Sequence, residues 1–294
     1  MWIERTVTEL CARHGVAAAP VVPFRDGSNL VAAVGERHVV KLFPRAHRHH
    51  WESERRVLPR FRDALPVEVP ELLAAGEHDD GWRYVIITRV AGDSLEAVWP
   101  RLARDEREAV LAQLGDVMAA AHAQPVAELE QLPPRWADFV TAQRARSREH
   151  HARLGMPAWF HRDLDALLDA ADPWLASLAP TAILTGEYTP FNLLVDGARL
   201  TGMIDFGDAM IGPREYDLLG PSLFLAAGDG GLLRTLFAHA RGPSWPLEPE
   251  VRRGLLALFV LHRYSNPDTQ LRLAAWRDRA RSMDDLGRMI WPDA

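Results

Sequence analysis

The chain has 294 residues and a formal net charge of −6; 48% of its residues are hydrophobic and 25% are charged. This length allows two lobes around a sizeable core, and the composition is that of an ordinary globular protein. The negative charge argues against a nucleic-acid partner, and no apolar run reaches the roughly 20 residues that span a bilayer. The single cysteine, Cys11, allows no internal disulfide and no cysteine-based metal site. Since the N-terminus lacks the basic start and apolar core of a signal peptide, we expect a cytoplasmic protein without a membrane partner.

The predicted elements begin with a helix over 2–14, whose apolar residues share one face and which ends at Gly15. Two or three strands should follow over 20–43, and the clearest linker is Ala91-Gly92-Asp93-Ser94. The other elements are predicted, in chain order, as a helix over about 47–58 ending near Pro59, strands over 69–75 and 82–88, a helix over 104–123, strands over 182–184, 193–195 and 200–204, and mostly helix over 216–290. A small β-rich part thus precedes a larger helical part that contains one hairpin.

Lys41 is the only lysine, so 33 of the 34 basic residues are arginines. It lies within the apolar run His38-Val39-Val40-Lys41-Leu42-Phe43, which is typical of a buried strand. An ammonium inside such a strand needs a partner, because removing it from water alone is very unfavourable. We predict that Glu54 on the following helix is this partner, with Glu52 as the second choice.

Phosphate binding is indicated in the first part of the chain. The glycine turn at Gly27-Ser28-Asn29 can bring backbone N–H groups close to phosphate oxygens, and Lys41 can reach the same phosphates from the strand after next.

Residues 1–92 hold 13 basic and 12 acidic residues, a net of +1; subtraction from the totals leaves 21 and 28, a net of −7, for residues 93–294. The second part would therefore favour a cationic ligand, although a solvated acidic surface explains the same count.

A magnesium site is indicated in the second part. Glu187 and Asn192 lie between two predicted strands, and Asp205 follows the next strand in Ile204-Asp205-Phe206-Gly207-Asp208. A hairpin turn would bring them together, and their oxygens are of the kind that Mg²⁺ prefers. We predict Asn192 and Asp205 as metal ligands and the carboxylate of Glu187 as the base for a hydroxyl nucleophile.

Together these motifs resemble the aminoglycoside phosphotransferase family, which is related to protein kinases. The family's loop His-Gly-Asp-x-His-Pro-x-Asn is matched at Gly186, Pro190 and Asn192, and its Ile-Asp-Phe/Trp at 204–206. Residues 212–218, Gly-Pro-Arg-Glu-Tyr-Asp-Leu, resemble the family's Gly-Asp-Pro-x-Tyr-Asp-Leu. Similar motifs occur in the same order from about residue 20 to 220, and this ordered combination is more specific than any one of them.

The resemblance implies an α+β, two-lobed protein-kinase-like fold: an N-lobe over 1–88, a hinge over 89–92 and a helical C-lobe over 93–294. It implies that Lys41 binds the phosphates of ATP or GTP and that the backbone of Thr88 and Val90 binds the adenine. Mg²⁺ is the implied metal. Where the family has its catalytic aspartate this chain has Glu187, which is one methylene longer.

The predicted function is nucleotide-dependent phosphorylation of a hydroxyl group on a small molecule, which we expect to be cationic, such as an aminoglycoside antibiotic of the hygromycin type. Two alternatives stay open. One is a kinase of a metabolite such as an amino alcohol or a sugar, and the other is a catalytically silent nucleotide-binding module. The histidines at 47, 49, 50, 150 and 151 are expected to be solvated and not to bind metal.

Overall fold

The computed structural model describes residues 2–25, 27–78, 80–186 and 188–293. The elements of its first part are α1 (Trp2–Arg13), β1 (Val21–Pro23), β2 (Leu30–Val34), β3 (His38–Phe43), α2 (Arg48–Phe61), β4 (Leu72–Glu77) and β5 (Arg83–Thr88). Those that follow are β6 (Asp93–Ser94), α3 (Leu95–Val98), α4 (Arg104–His122), α5 (Trp136–Arg153), α6 (Ala158–Ser177), β7 (Ala182–Leu184), β8 (Leu193–Asp196), β9 (Arg199–Met203) and β10 (Met210–Gly212). The last are α7 (Leu219–Pro221), α8 (Gly230–His239), α9 (Pro249–Val260), α10 (Pro267–Gln270), α11 (Trp276–Arg279) and α12 (Met283–Ile290). None of the described helices is both long enough and apolar enough to cross a membrane.

The first part is built on a five-stranded antiparallel sheet in the order β1-β2-β3-β5-β4, with β3 at its centre. Alternate residues of a strand point to opposite faces. Val40 and Leu42 pack with α1 on one face, and Phe43 joins the core that contains α2 on the other. The same alternation places Lys41 on the face of α2.

The second part is mostly helical and carries two small sheets. The β8–β9 hairpin pairs Leu193 with Met203 and extends onto β6, while β7 pairs with β10. The two parts also join through the backbone, because Glu68 exchanges hydrogen bonds of 2.9 Å with Thr201 and Met203. One continuous apolar core runs from the α2 face of the large sheet into the helices of the second part.

Several sequence predictions need correction. Helix α2 continues through Pro59 to Phe61, since the apolar face of the helix extends to the buried Phe61 ring. Strand β10 was not predicted, because its three residues are too short for a pattern. His50 and His151 are buried and not solvated, at 4% and 0% exposure, because both are packed between elements that are distant in sequence.

Candidate active site

Lys41 lies at the centre of a cluster of three charges. Its Nζ donates to Oε1 of Glu54 at 2.7 Å and to Oδ1 of Asp205 at 3.1 Å. Strand β3 presents the lysine, the inner face of α2 presents the glutamate, and Asp205 follows β9. The predicted partner, Glu54, is therefore the residue in contact, while Glu52 binds Arg55 instead.

Burial sets the electrostatics of this cluster. The Glu54 side chain is fully buried, and its Oε2 has no hydrogen-bond partner in the described part of the chain. Burial raises the pKa of Glu54 to about 7, and the Lys41 ammonium opposes that rise. Burial by itself would lower the pKa of Lys41, but the carboxylates of Asp205 and Glu54 outweigh it and raise this pKa well above its usual value. Lys41 therefore stays charged and suits a phosphate ligand.

Asp205 adopts a strained backbone conformation that aims its carboxylate at Lys41. Its φ angle is 65°, in the left-handed region that non-glycine residues rarely occupy and that aspartate tolerates better than most. Oδ1 also accepts the N–H of Gly207 at 3.2 Å. The neighbouring Phe206 is fully buried with its ring 5.6 Å from Phe61 of α2, so the same packing fixes Asp205 and the helix of Glu54. The Asp205 side chain is still 42% exposed and can face a ligand.

A backbone hydrogen bond to Ile204, the residue before Asp205, places Asn192 close to Asp205. The carbonyl of Asn192 accepts the N–H of Ile204 at 2.9 Å, and its own N–H donates to Thr189 at 3.1 Å. The structure thus brings the backbones of the two predicted metal ligands, Asn192 and Asp205, close together. The predicted base, Glu187, lies outside the described residues. Within the described ranges, no group of three or more His, Cys, Asp and Glu side chains is placed to hold a metal ion. A pair of protein ligands still suits Mg²⁺, which completes its shell with water and phosphate.

The loop before Glu187 is anchored by a buried carboxylate that the sequence reasoning gave no role. Asp217 accepts the N–H of Gly186 at 2.9 Å and that of Thr185 at 3.3 Å, and it contacts Nε2 of His122 at 2.8 Å. Its side chain is fully buried. Gly186 has a φ of 66°, which explains the glycine. The match of Tyr216-Asp217-Leu218 to the family motif could have identified Asp217 from the sequence. No sequence pattern indicated that His122 of α4 would be its partner.

The loop between β1 and β2 carries the predicted phosphate contacts. Ser28 is exposed, whereas the side chain of Asn29 contacts the start of α2. Its Oδ1 lies 2.9 Å from Nδ1 of His47, and its Nδ2 lies 3.4 Å from Nδ1 of His50. His50 in turn has Nε2 3.4 Å from Asp208, which is ion-paired with Arg263. A series of polar contacts between side chains therefore links the loop to the second part of the protein. Because the Asn29 side chain is already engaged in these contacts, phosphate would be bound by backbone N–H groups of the loop.

The two predicted hinge residues are placed differently. The N–H of Thr88 donates to Glu71 at 3.0 Å, and its Oγ1 accepts the N–H of Glu71 at 2.8 Å. A contact between Thr88 and a base would therefore use its carbonyl oxygen. Val90 is buried, and its side chain contacts Gly202 so closely that a Cβ there would lie 2.4 Å from it. This packing holds the segment between the sheet and the helices in place.

Comparison with known proteins fits this geometry. A family model described as "APH: Phosphotransferase enzyme family" matches residues 21–255. The fold and the match over most of the chain show that this protein belongs to that phosphotransferase enzyme family. The resemblance inferred from the motifs is therefore confirmed.

One curated relative is hygromycin-B 4-O-kinase from Escherichia coli, which is 26% identical over 166 residues. The match covers 53% of this chain and 47% of the relative, so it spans about half of that protein.

Solved structures confirm the predicted two-lobed fold. The GDP complex of wild-type aminoglycoside 2'-phosphotransferase-IIIa has a TM-score of 0.71 at 18% identity, covering 98% of this chain and 96% of that one. A thermostable mutant of APH(4)-Ia in a ternary complex with AMP-PNP and hygromycin B has a TM-score of 0.66 at 21% identity, covering 98% and 100%. At these identities the likeness establishes the fold.

Proposed function

We propose that the chain transfers the terminal phosphoryl group of ATP or GTP to a hydroxyl group of a small molecule, with an aminoglycoside or related amino sugar as the acceptor class. The observation that carries the proposal is the ammonium of Lys41 held between Glu54 and Asp205. A fixed, charged lysine beside a half-exposed carboxylate is the arrangement that binds phosphates with a metal ion. The family membership and the GDP and AMP-PNP complexes of its structural neighbours support it.

Each site residue has a role in this proposal. Lys41 contacts nucleotide phosphates, and Glu54 fixes its position from α2. Asp205 and Asn192 would hold Mg²⁺, since the Asp205 carboxylate is 42% exposed and Asn192 is bonded through its carbonyl to Ile204, the residue before Asp205. When bound, the metal neutralises charge on the phosphates in the transition state. The N–H groups at Ser28 and Asn29 approach the phosphates from the β1–β2 loop, and Thr88 and Val90 flank the base.

Glu187 is proposed as the base that orients the acceptor hydroxyl. The transition state of phosphoryl transfer is loose and requires little early proton removal, so correct placement matters more than base strength. A glutamate can serve if the loop lies slightly further from the acceptor. Asp217 contributes by holding the amides of Thr185 and Gly186, immediately before this residue.

A second candidate is a catalytically silent nucleotide-binding module. It is favoured by one observation, the glutamate at position 187 in place of the family's aspartate. A displacement of about 1 Å at a reacting group can cost on the order of 10²-fold in rate.

The test measures ADP release with a panel of acceptors: hygromycin B, kanamycin, an amino alcohol and a neutral sugar. Turnover with the first two favours the amino-sugar class, and turnover with the others favours a metabolite kinase. Glu187→Gln should lower turnover by roughly 10²-fold while nucleotide affinity, measured by calorimetry, stays unchanged. Glu149→Gln on the exposed side of α5 is the matched control. Nucleotide binding without transfer to any acceptor would establish the silent module, and failure to bind nucleotide would refute both candidates.

A further inference from the structure

A cleft of about 430 Å³ lies between the start of α2 and the second part of the protein. Its walls are formed by His47, His49, His50, Arg146, His150, Leu154, Arg263, Tyr264, Ser265 and Asn266. Arg263 and Tyr264 also line a narrower crevice that contains Gly186 and Asp208. The cleft therefore shares two wall residues with the crevice beside the loop in which we place the base.

The side chains of this cleft have one sign of charge. Among its described lining residues there are two guanidinium groups and four imidazole rings, and there is no aspartate or glutamate. Asp208 is the carboxylate in contact with the wall; it is mostly buried and ion-paired with Arg263. The negative charge summed over residues 93–294 therefore does not describe the surface closest to the reaction.

The cleft is a built site, because its polar side chains are held by specific contacts. Arg146 donates to the carbonyl of Arg263 at 3.1 Å, and Nε2 of His150 lies 2.7 Å from the carbonyl of Ser265. Arg263 lies 3.3 Å from Nε2 of His49. These contacts span α2, α5 and the segment after α9, so they fix the position of the guanidinium groups before any ligand arrives.

Two of the imidazole rings, those of His47 and His49, do not take up protons easily in this setting. Burial, together with repulsion from His50, lowers the pKa of His47, and burial followed by repulsion from His50 and Arg263 lowers the pKa of His49 to about 4. An additional cation in the cleft would meet the same repulsion. An anion would instead gain charge-assisted hydrogen bonds from the guanidinium groups and neutral hydrogen bonds from the rings of His47 and His49. Within the described residues these rings do not form a metal site.

We propose that this cleft is an oxyanion subsite for the acceptor, so that the acceptor carries a carboxylate or phosphate group in addition to the hydroxyl that is phosphorylated. This inference rests on the proposed phosphotransfer and narrows its substrate. An amino sugar that also carries an acid group satisfies both requirements. One whose ionised groups are all amines offers no complementary charge to Arg146, whereas Arg263 already pairs with Asp208.

The first experiment titrates the full chain with inorganic phosphate and follows the histidine ring signals by NMR. We expect saturable shifts of several ring signals and an affinity that falls about tenfold in Arg146→Gln, since one charge-assisted contact is lost. Arg148→Gln is the matched control, because Arg148 lies on the same helix and is ion-paired with Asp165 outside the cleft. No saturable shift, or equal affinity in both variants, would overturn the subsite.

The second experiment compares acceptors that differ by one group, glucosamine against glucosamine 6-phosphate, by ADP release. We expect kcat/KM to be at least about tenfold higher for the phosphorylated sugar, and Arg146→Gln to remove that advantage without changing nucleotide affinity. A loss of nucleotide affinity in the variant would instead assign the site to the nucleotide phosphates and overturn the proposal. Equal or better turnover of glucosamine would refute the anionic acceptor while the kinase function stands. If neither sugar releases ADP, the proposed anionic acceptor fails for these sugars, and the phosphate titration alone decides whether the oxyanion site exists.

Discussion

Replacing Lys41 by methionine tests the buried charge cluster directly. The variant keeps most of the length of the side chain but removes the ammonium that lies 2.7 Å from the fully buried carboxylate of Glu54. Removing one partner of a buried ion pair leaves an uncompensated charge, so we expect the free energy of unfolding to fall by about 3 kcal/mol at pH 8. Asp205 adds little to this loss, because its side chain is 42% exposed and water screens it.

The loss should depend on pH with a definite sign. Without the ammonium, burial raises the pKa of Glu54 further above its ordinary value of 4.5. The folded variant then holds a proton that the unfolded chain releases, so the stability of the variant falls as the pH rises above 4.5. The wild type loses stability in the same way only up to about pH 7, where its Glu54 titrates. The difference in unfolding free energy between the wild type and the variant should therefore be larger at pH 8 than at pH 5.5.

Urea unfolding at both pH values measures this gap. The double variant Lys41→Met/Glu54→Leu should regain most of the lost stability, because a buried pair replaced by apolar groups of similar volume is nearly neutral. A variant as stable as the wild type at pH 8, or a gap that does not change with pH, would refute the reasoning.

Four further outcomes are expected. Lys41→Arg should lose nucleotide affinity in calorimetry, because a planar fork does not fit a site for a point charge, and wild-type affinity would contradict this. Asp205→Asn should abolish the Mg²⁺-dependent part of nucleotide affinity; the same affinity with and without the metal in both proteins would exclude the site. Asp217→Asn should lower kcat at least about tenfold with an unchanged KM for ATP, because the Gly186 amide loses a charged acceptor; a change in KM alone would speak against a positioning role. Burial lowers the pKa of His151 to about 4, so the free energy of unfolding should decrease as the pH falls from 6.5 towards 4. His151→Gln should make this dependence on pH less steep by up to about 1.4 kcal/mol per pH unit, and an unchanged dependence would rule this out.

Local pattern was enough to predict the contact between Lys41 and Glu54. The alternation of β3 decides which face carries the lysine, and the apolar positions Val57, Leu58 and Phe61 show that Glu54 shares the buried face of α2. The strands of the five-stranded sheet followed from the same alternation, although their ends shifted by up to three residues.

Other parts of the site depend on contacts between distant segments. The ion pair of Arg263 with Asp208 joins residues 55 positions apart, and the hydrogen bond from Gly186 to Asp217 joins residues 31 apart. The burial of His50 arises only when α2 packs against the second part. The residue pattern within one segment does not show which distant segment packs against it. The sequence therefore indicated the charges of Arg263, Asp208 and Asp217 but not their partners. The roles of all the predicted site residues, those of Lys41, Asn192 and Asp205 as much as that of Glu187, remain predictions.

The single lysine gives the small lobe a built-in conformational probe. An endoprotease that cuts only after lysine has one target bond in this chain, between Lys41 and Leu42, and can produce only the fragments 1–41 and 42–294. That bond lies in the middle of β3, between β2 and β5, where a protease cannot bind it without the strand leaving the sheet. The rate of this one cleavage therefore measures how often the centre of the sheet opens. A nucleotide whose phosphates bind Lys41 should slow this cleavage in proportion to the occupancy of the nucleotide site.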